Sequence, residues 1–249
     1  MNNVLTFVTA FKKFKGPYEV VQKSALYTYK MNDIDVVAPD NEVALKENCP
    51  GVTFIDGVKR ARELDFNHQS PVLCDLLKKA LPIITTPMIG FIKSDVLLPE
   101  DFLLKCNHFF DQYGLDVCLA GARHNIKLVY GIVNSESFKR VQQEKWVESG
   151  NMDFFITSKF IWKKILKDMP EFILGRFYWD RWLLGAAEKY CPKRYNCTDS
   201  LIALHCDHNY NHIILSEKAA TVDAVSSLHN KTLWEKSGLS GDLKGWKKV

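Results

Sequence analysis

The segment "FIKSDVLLPEDF" (residues 91–102) places three polar residues at the end of an apolar strand. Lys93, Ser94 and Asp95 follow the apolar run 88–92, and Pro-Glu-Asp then begins a helix. In α/β folds ligands bind at the carboxyl ends of strands, where a carboxylate can hold a metal ion that is bound to phosphates. The alternative is a strand end that faces water. Asp95 is therefore a candidate ligand of a phosphate-bound cation.

A second group of candidate ligands lies in "ALHCDHNYNH" (residues 203–212). His205, His208 and His212 have the spacing i, i+3 and i+7, which a helix would bring to one face that zinc could use. The sequence has no HExxH motif and no acidic partner at a defined spacing. Histidines that only make structural hydrogen bonds are the alternative.

A third candidate is the carboxylate in "FILGRFYWDRWLL" (residues 172–184). Asp180 lies in the first turn of a predicted helix, and a carboxylate there is a candidate for acid–base chemistry. An acid in the first turn of a helix is also favoured by the helix dipole, and the residues alone favour that interpretation. Arg176 could clamp a phosphate or carboxylate, and Trp179 and Trp182 could contact a sugar or belong to the core.

The loop "TAFKKFKGP" (residues 9–17) combines three lysines with a predicted helix start. Lysines beside a helix amino terminus suit a phosphate, because the backbone N–H groups and the dipole both favour an anion. Neither GxGxxG nor GxxxxGK[ST] occurs, which argues against a Rossmann dinucleotide site or a P-loop.

Short strands that alternate with helices must position these residues. Apolar runs predict strands at 4–9, 34–38, 52–55 and 88–92, with helices at 18–30 and 72–81. In the second half we expect strands at 115–120, 127–132 and 153–157 and helices at 135–148, 159–167 and 179–190. This alternation predicts one domain with a mostly parallel sheet. The polar tail from residue 216 is expected to pack loosely or as a surface arm.

The composition is that of a soluble globular protein. The chain has 249 residues, 47% of them apolar, and a net charge of +4. No long apolar run or charged leader predicts a membrane span or secretion, so we expect a cytoplasmic location, in a bacterium or a phage-infected host. Seven scattered cysteines without a CxxC pair favour reduced thiols.

Read in order, these stretches resemble the GT-A nucleotide-diphospho-sugar transferases. The resemblance covers residues 4–212 and rests on "VTAFKKFKG", "DVVAPDNE", "PVLCDLLKKA", "GFIKSDVLLPEDFL", "LAGARHNI", "DFFITSKFIW", "GRFYWDRWLL" and "ALHCDHNYNH". It implies a GT-A, Rossmann-like α/β fold over residues 1–215. Residues 1–114 would form the half that binds the nucleotide sugar and 115–215 the acceptor half, followed by the tail 216–249.

The resemblance also implies roles for the candidate residues. Asp95 matches the last metal-binding acid of the family and Asp180 the base of inverting enzymes, while His205 would approach the metal or the diphosphate. The family usually has Asp or Asn where this chain has Lys93. That lysine could supply positive charge itself and weaken the dependence on Mn²⁺ or Mg²⁺.

The remaining implied contacts divide between donor and acceptor. The donor nucleotide and its phosphates would be bound by residues at strand ends and on the following helix: Thr9, Ala10, Phe11, Lys15, Asp40, Asp75, Lys79, Lys93 and Ser94. An exposed amphipathic helix is an equal alternative for Asp75 and Lys79. The sugar or acceptor pocket would be lined by Asp153, Phe155, Trp179 and Trp182, and Tyr210 would accompany the histidines.

The expected function is transfer of a sugar from a nucleotide-diphosphate sugar, with UDP as the expected nucleotide, to an acceptor hydroxyl. The acceptor would be a saccharide or a hydroxymethylated base of phage-type DNA. Three lysine clusters would suit DNA, namely Lys12, Lys13 and Lys15, then Lys163, Lys164 and Lys167, and then Lys244, Lys247 and Lys248. Two alternatives stay open. One is a homologue that binds nucleotide sugars without turnover, suggested by Lys93. The other is a nucleotidyltransferase, although that class favours a glycine-rich loop after the first strand.

Overall fold

The computed structural model describes residues 4–40, 49–126, 136, 139, 147–206 and 222–249. Its strands are β1 (Leu5–Val8), β2 (Asp35–Pro39), β3 (Val52–Ile55), β4 (Met88–Ile92), β5 (Val96–Leu97), β6 (Val117–Ile126), β7 (Val147–Ser158), β8 (Lys193–Asn196), β9 (Leu204–Cys206) and β10 (Lys247–Lys248). Its α-helices are α1 (Pro17–Met31), α2 (Leu73–Ile83), α3 (Phe102–Tyr113), α4 (Lys159–Asp168), α5 (Trp179–Tyr190) and α6 (Val222–Ser237). Short 3₁₀ helices cover Ala61–Leu64 and Leu243–Gly245.

These strands form a mixed sheet in the order β10-β8-β6-β7-β4-β1-β2-β3. Pairs within β4-β1-β2-β3 and within β10-β8-β6 are parallel. Strand β7 joins the two groups and runs antiparallel to both β4 and β6. Strand β9 pairs with β5 and with β6 beside this main path. The expected single α/β domain with a mostly parallel sheet is confirmed.

Helices cover both faces of the sheet, and each face has its own apolar core. Buried residues of α2, α4 and α5 pack on one face, and residues of α1 and α3 pack on the other. Trp162 of α4 is fully buried, and its indole N–H donates to the carbonyl of Ile89 at 2.8 Å. That bond satisfies a polar group that burial would otherwise leave costly, while the rings of Phe155 and Trp162 pack edge to face.

The element boundaries follow the predicted pattern closely in the first half. Strand β4 has the predicted bounds, and helix α5, in the second half, does too. The short strand expected at 153–157 is instead the twelve-residue β7, which begins at Val147, a position predicted as helical. The strand predicted at 127–132 and most of the helix predicted at 135–148 lie outside the described residues.

The expectation of a loosely packed tail is wrong for residues 222–249. Asn230 of α6 is fully buried, and its side-chain amide bonds the backbone N–H and carbonyl of Ile173 at 2.9 and 3.0 Å. Leu243 and Trp246 are buried in the core beside α5, and β10 extends the sheet. The tail is polar in composition, but Leu243 and Trp246 pack in the core, while Val225 and Leu228 of α6 stay exposed.

Candidate active site

Parallel pairing of β1 with β4 brings the lysine loop and the Lys93-Ser94-Asp95 segment to one edge of the sheet. There the Nζ of Lys12 lies 3.1 Å from Oδ2 of Asp95. The Nε2 of His205, on β9, lies 3.7 Å from the same oxygen. Asp95 is 5% exposed and His205 is fully buried, whereas the side chain of Lys12 is 41% exposed. The structure thus brings the two predicted metal ligands together and adds a cation.

Gln22 of α1 holds this edge in place, and the sequence analysis did not identify it. Its side-chain carbonyl accepts from the backbone N–H of Lys12 at 2.7 Å and from the hydroxyl of Ser94 at 3.0 Å. Its amide donates to the carbonyl of Lys12 at 3.2 Å. The sequence feature that could have identified it is a glutamine next to Val21 on the apolar face of a helix. A polar side chain that is buried there needs hydrogen-bond partners.

Tyr29 fixes the turn that carries Asp95. Its buried hydroxyl donates to the carbonyl of Val96 at 2.8 Å and approaches that of Lys93 at 3.3 Å. Burial raises the pKa of Tyr29 well above its usual value, and the nearby charge of Asp95 raises it further. The phenol therefore stays a neutral donor near neutral pH, and the turn keeps its hydrogen bonds.

A second charged cluster adjoins the first and centres on Asp153 of β7. This carboxylate is fully buried, and its Oδ1 lies 2.7 Å from Nζ of Lys93 and 2.9 Å from Nη1 of Arg123. The backbone N–H of Arg123 donates to Oδ2 at 3.2 Å. Arg123 was not predicted from the sequence, because 30 residues separate it from Asp153. Two cations against one buried carboxylate leave positive charge at this edge.

The expected divalent cation was assigned to Asp95 and His205, and the described part of the chain does not complete a metal site around them. Among the described residues no three His, Cys, Asp or Glu side chains are grouped closely enough to hold a metal ion. The Nζ of Lys12 already lies against the carboxylate, where it would compete with a metal. His208, Tyr210 and His212 lie outside the described residues.

Two residues expected to contact the nucleotide, Thr9 and Phe11, are buried. The hydroxyl of Thr9 donates to the carbonyl of Ile92 at 2.7 Å, which ties β1 to β4. Phe11 is 5% exposed and packs edge to face with Phe14. The side chains of Thr9 and Phe11 therefore shape the strand end from within, and the predicted nucleotide contact of these residues stays a prediction. Ala10 is half-buried and Lys15 is exposed just before α1.

The end of β2 carries Asp40 together with Arg60, a residue that sequence reasoning missed. The Nη2 of Arg60 donates to the carbonyl of Asp40 at 2.6 Å. Arg60 is 8% exposed, and its Nη1 has no hydrogen-bond partner among the described residues. Burial lowers the pKa of Arg60, although a guanidinium stays charged at any ordinary pH. An unpaired buried N–H at a strand end is a group that a ligand could satisfy.

Asp75 and Lys79 contact each other and a neighbouring loop. Their side chains form an i, i+4 ion pair at 3.0 Å. Asp75 accepts from the backbone N–H of Lys59 at 2.6 Å, and Lys79 donates to the carbonyl of Gly57. These contacts anchor residues 57–59 on α2, which is the segment that leads to Arg60. The predicted nucleotide contact of Asp75 and Lys79 stays a prediction.

Asp180 lines a polar cavity of about 410 Å³ at the start of α5. Arg181, Glu188 and Asp242 also line it, as does Met152, the residue before Asp153 on β7. One wall is the loop that contains Gly241, whose N–H donates to the carbonyl of Arg181 at 3.1 Å. A Cβ on Gly241 would lie 2.6 Å from the backbone nitrogen of Gly185, so this wall packs backbone against backbone.

Four further predicted site residues have structural partners instead. Arg176 donates to the hydroxyl of Ser226 at 2.7 Å and to the carbonyl of Gly175 at 3.0 Å, which binds its loop to α6. It shares no contact with Asp95 among those described. The other three are buried in the apolar core and cannot line a pocket as expected, since their exposed fractions are 0–4%: Phe155, Trp179 and Trp182.

Comparison with known proteins supports the fold. No family model and no curated protein sequence matches the chain. Residues 1–349 of S. aureus TarS, crystallised in complex with UDP-GlcNAc, superpose with a TM-score of 0.51 at 12% identity, over 94% of this chain and 71% of that one. A second structure of TarS 1–349 gives 0.50 at 13% identity, over 92% and 69%. A longer TarS structure gives 0.52 at 13%, and this chain covers 42% of it.

These likenesses confirm the GT-A-like α/β fold that the sequence predicted. They are likenesses of fold, and the chain spans about two fifths of the longer TarS structure. None of the helices described here is both long enough and apolar enough to cross a bilayer.

Proposed function

We propose that the protein is a glycosyltransferase that transfers a sugar from a uridine-diphosphate sugar to an acceptor hydroxyl. The observation that carries the proposal is the cluster of Lys12, Asp95 and His205 at the carboxyl edge of a GT-A-like sheet. A TarS structure with the same fold was crystallised with UDP-GlcNAc, which supports a nucleotide-sugar donor.

The leaving diphosphate needs positive charge, because an additional negative charge develops on its β-phosphate as the bond to the sugar breaks. Lys12 is the exposed cation of the cluster, and Lys93 and Arg123 add positive charge beside it. We propose that these side chains stabilise the diphosphate, with Asp95 orienting Lys12. A divalent cation on Asp95 and His205 stays the alternative prediction, and chelation of the purified enzyme distinguishes the two.

The nucleotide would bind at the ends of β1 and β2, as expected from the sequence, with Arg60 as an additional contact. Arg60 offers an N–H without a partner among the described residues, next to Asp40. Gln22 bonds the backbone N–H and the carbonyl of Lys12, which fixes the loop after β1 beside this site. Lys15 and the amino terminus of α1 suit a phosphate oxygen.

The acceptor would enter the cavity lined by Asp180, and we propose that Asp180 removes the proton of the acceptor hydroxyl. The cavity is polar, and its volume of about 410 Å³ suits a monosaccharide unit. A saccharide acceptor is the first proposal, because Asp242 and Glu188 also line the cavity and can bind hydroxyl groups. A hydroxymethylated DNA base is the alternative acceptor.

A donor screen tests this proposal. UDP should raise the melting temperature, because a ligand that binds only the native state stabilises it by about 2.7 kcal/mol at a hundredfold excess over Kd. UDP-sugars should be hydrolysed slowly when no acceptor is present. If no nucleoside diphosphate raises the melting temperature, the proposed donor site is wrong. A thermal shift without hydrolysis or transfer would favour a homologue that binds nucleotide sugars without turnover.

A further inference from the structure

The outer face of α4 carries an aromatic residue and three lysines. Phe160, Lys163, Lys164 and Lys167 have the spacing i, i+3, i+4 and i+7, which places them on one side of a helix. The other side of α4 is buried in the core. Phe160 is 59% exposed, and the Nζ of Lys164 lies 4.2 Å from the centre of its ring. This face is therefore basic, with one large apolar group open to solvent.

The end of α2 extends the same surface. Lys159 Nζ donates to the carbonyl of Ile84 at 2.8 Å, so that the start of α4 rests against the end of α2. Between the two helices lies an open groove of about 570 Å³. It is lined by apolar side chains and lysines, namely Lys78, Leu81, Pro82, Lys159, Lys163, Leu166 and Lys167. Ile83, which follows Pro82, is 50% exposed.

In the part of the chain that the structure describes, no carboxylate lines this groove. Among the described residues, none of Lys78, Lys163 and Lys167 forms a salt bridge. Asp168, at the end of α4, is paired with Lys189 at 2.7 Å and also bonds the hydroxyl of Tyr190. The carboxylate of Asp168 is thus paired with residues of α5. A cluster of lysines without acids attracts an anionic partner.

We propose that this surface, made by α2 and α4, binds the face of an anionic lipid bilayer. Lysines around an apolar strip are suited to this partner, because the ammonium groups bind lipid headgroups while Phe160 and Ile83 enter the region beneath them. Duplex nucleic acid would use the lysines equally well, but it offers no apolar layer to the exposed aliphatic side chain of Ile83. The surface does not include the residues of the Asp95 cluster. It would attach the enzyme to the surface of a membrane without crossing the bilayer.

Vesicle sedimentation with the full chain tests this inference. The protein should bind vesicles of phosphatidylcholine and phosphatidylglycerol in equal parts and should not bind phosphatidylcholine alone. Binding should weaken as salt rises, because surface charges are screened. Replacing Lys163 and Lys167 together with Gln should weaken binding about 25-fold, at about fivefold for each lysine. Phe160→Ala should weaken it as well, with the salt dependence unchanged.

The matched control replaces two exposed lysines on other helices, Lys30→Gln and Lys236→Gln, which gives the same net charge. If the control loses binding equally, attraction comes from net charge and the inference is wrong. Equal binding of the parent to neutral and anionic vesicles, or none to either, also overturns it. Duplex DNA is measured in parallel: a Lys163/Lys167 variant that loses DNA binding while vesicle binding persists would assign the surface to nucleic acid instead.

Discussion

Replacing Lys12 with Met tests whether a lysine stabilises the leaving diphosphate. Met keeps much of the length and the apolar stem of lysine and removes the charge that lies 3.1 Å from Asp95. Turnover should fall because the developing negative charge loses its nearest exposed cation. Asp95 and His205 remain in place, so a metal ion that used them would still have both ligands.

The structure separates the expected effect on turnover from the effect on stability. The side chain of Lys12 is 41% exposed, so water can replace its ammonium group, and the loss of the ion pair should cost about 1 kcal/mol. For a domain of this size that lowers Tm by about 2–4 °C. Loss of one preorganised group that stabilises transition-state charge typically lowers turnover by about 10²–10³-fold, on the order of 3–4 kcal/mol.

The assay is release of UDP from the best UDP-sugar, measured for the parent, for Lys12→Met and for the control Lys30→Met, each with and without a chelator. The reasoning predicts a loss of about a hundredfold or more for Lys12→Met alone, and little effect of chelation on the parent. If Lys12→Met keeps full turnover while chelation abolishes it, the cation at Asp95 is a metal ion and the lysine proposal is refuted.

Three other changes probe the rest of the site. Asp180→Asn should lower turnover by about 10²–10⁴-fold while the Kd for UDP, measured by calorimetry, stays nearly unchanged, as expected for a base that acts on the acceptor. Asp153→Asn should lower the free energy of unfolding, measured with urea, by about 3 kcal/mol, because Lys93 and Arg123 lose their buried counterion; an unchanged midpoint would contradict the charge pairing. Gly241→Ala should lower Tm by several degrees and impair transfer more than donor binding, since its Cβ would meet the backbone of α5; normal Tm and transfer would show that the wall can move.

Local pattern was enough to predict the strands and helices that build the donor edge. The apolar run of β4 predicted its bounds, because every residue of this strand is buried. The bounds of α5 were predicted because one continuous apolar face of the helix is buried. Asp95 and His205 were predicted from a resemblance, and the structure does place them together. The identity of the cation beside them was not predictable, because Lys12 and Asp95 are 83 residues apart and only the pairing of β1 with β4 joins them.

The sequence also did not predict which side chains point into the core and which point into a pocket. Trp182 and Phe155 were expected in a pocket, yet both are fully buried, and composition cannot distinguish an aromatic that packs in a core from one that meets a sugar. The tail was judged by its polarity, whereas its packing depends on a few positions such as Asn230 and Trp246. Arg60 belongs to no recognisable motif, and its N–H without a partner among the described residues is visible only once the neighbouring segments of the chain are placed.

Strand β7 also has a consequence for how the chain finds its register. Within the described sheet it is the single strand that joins two parallel groups, and it runs antiparallel to its partners β4 and β6. A slip of one residue would put Met152 or Phe154 where Asp153 stands and leave Lys93 and Arg123 without their carboxylate. The buried charge therefore penalises misaligned sheets during folding, so that the two halves can join in one alignment only.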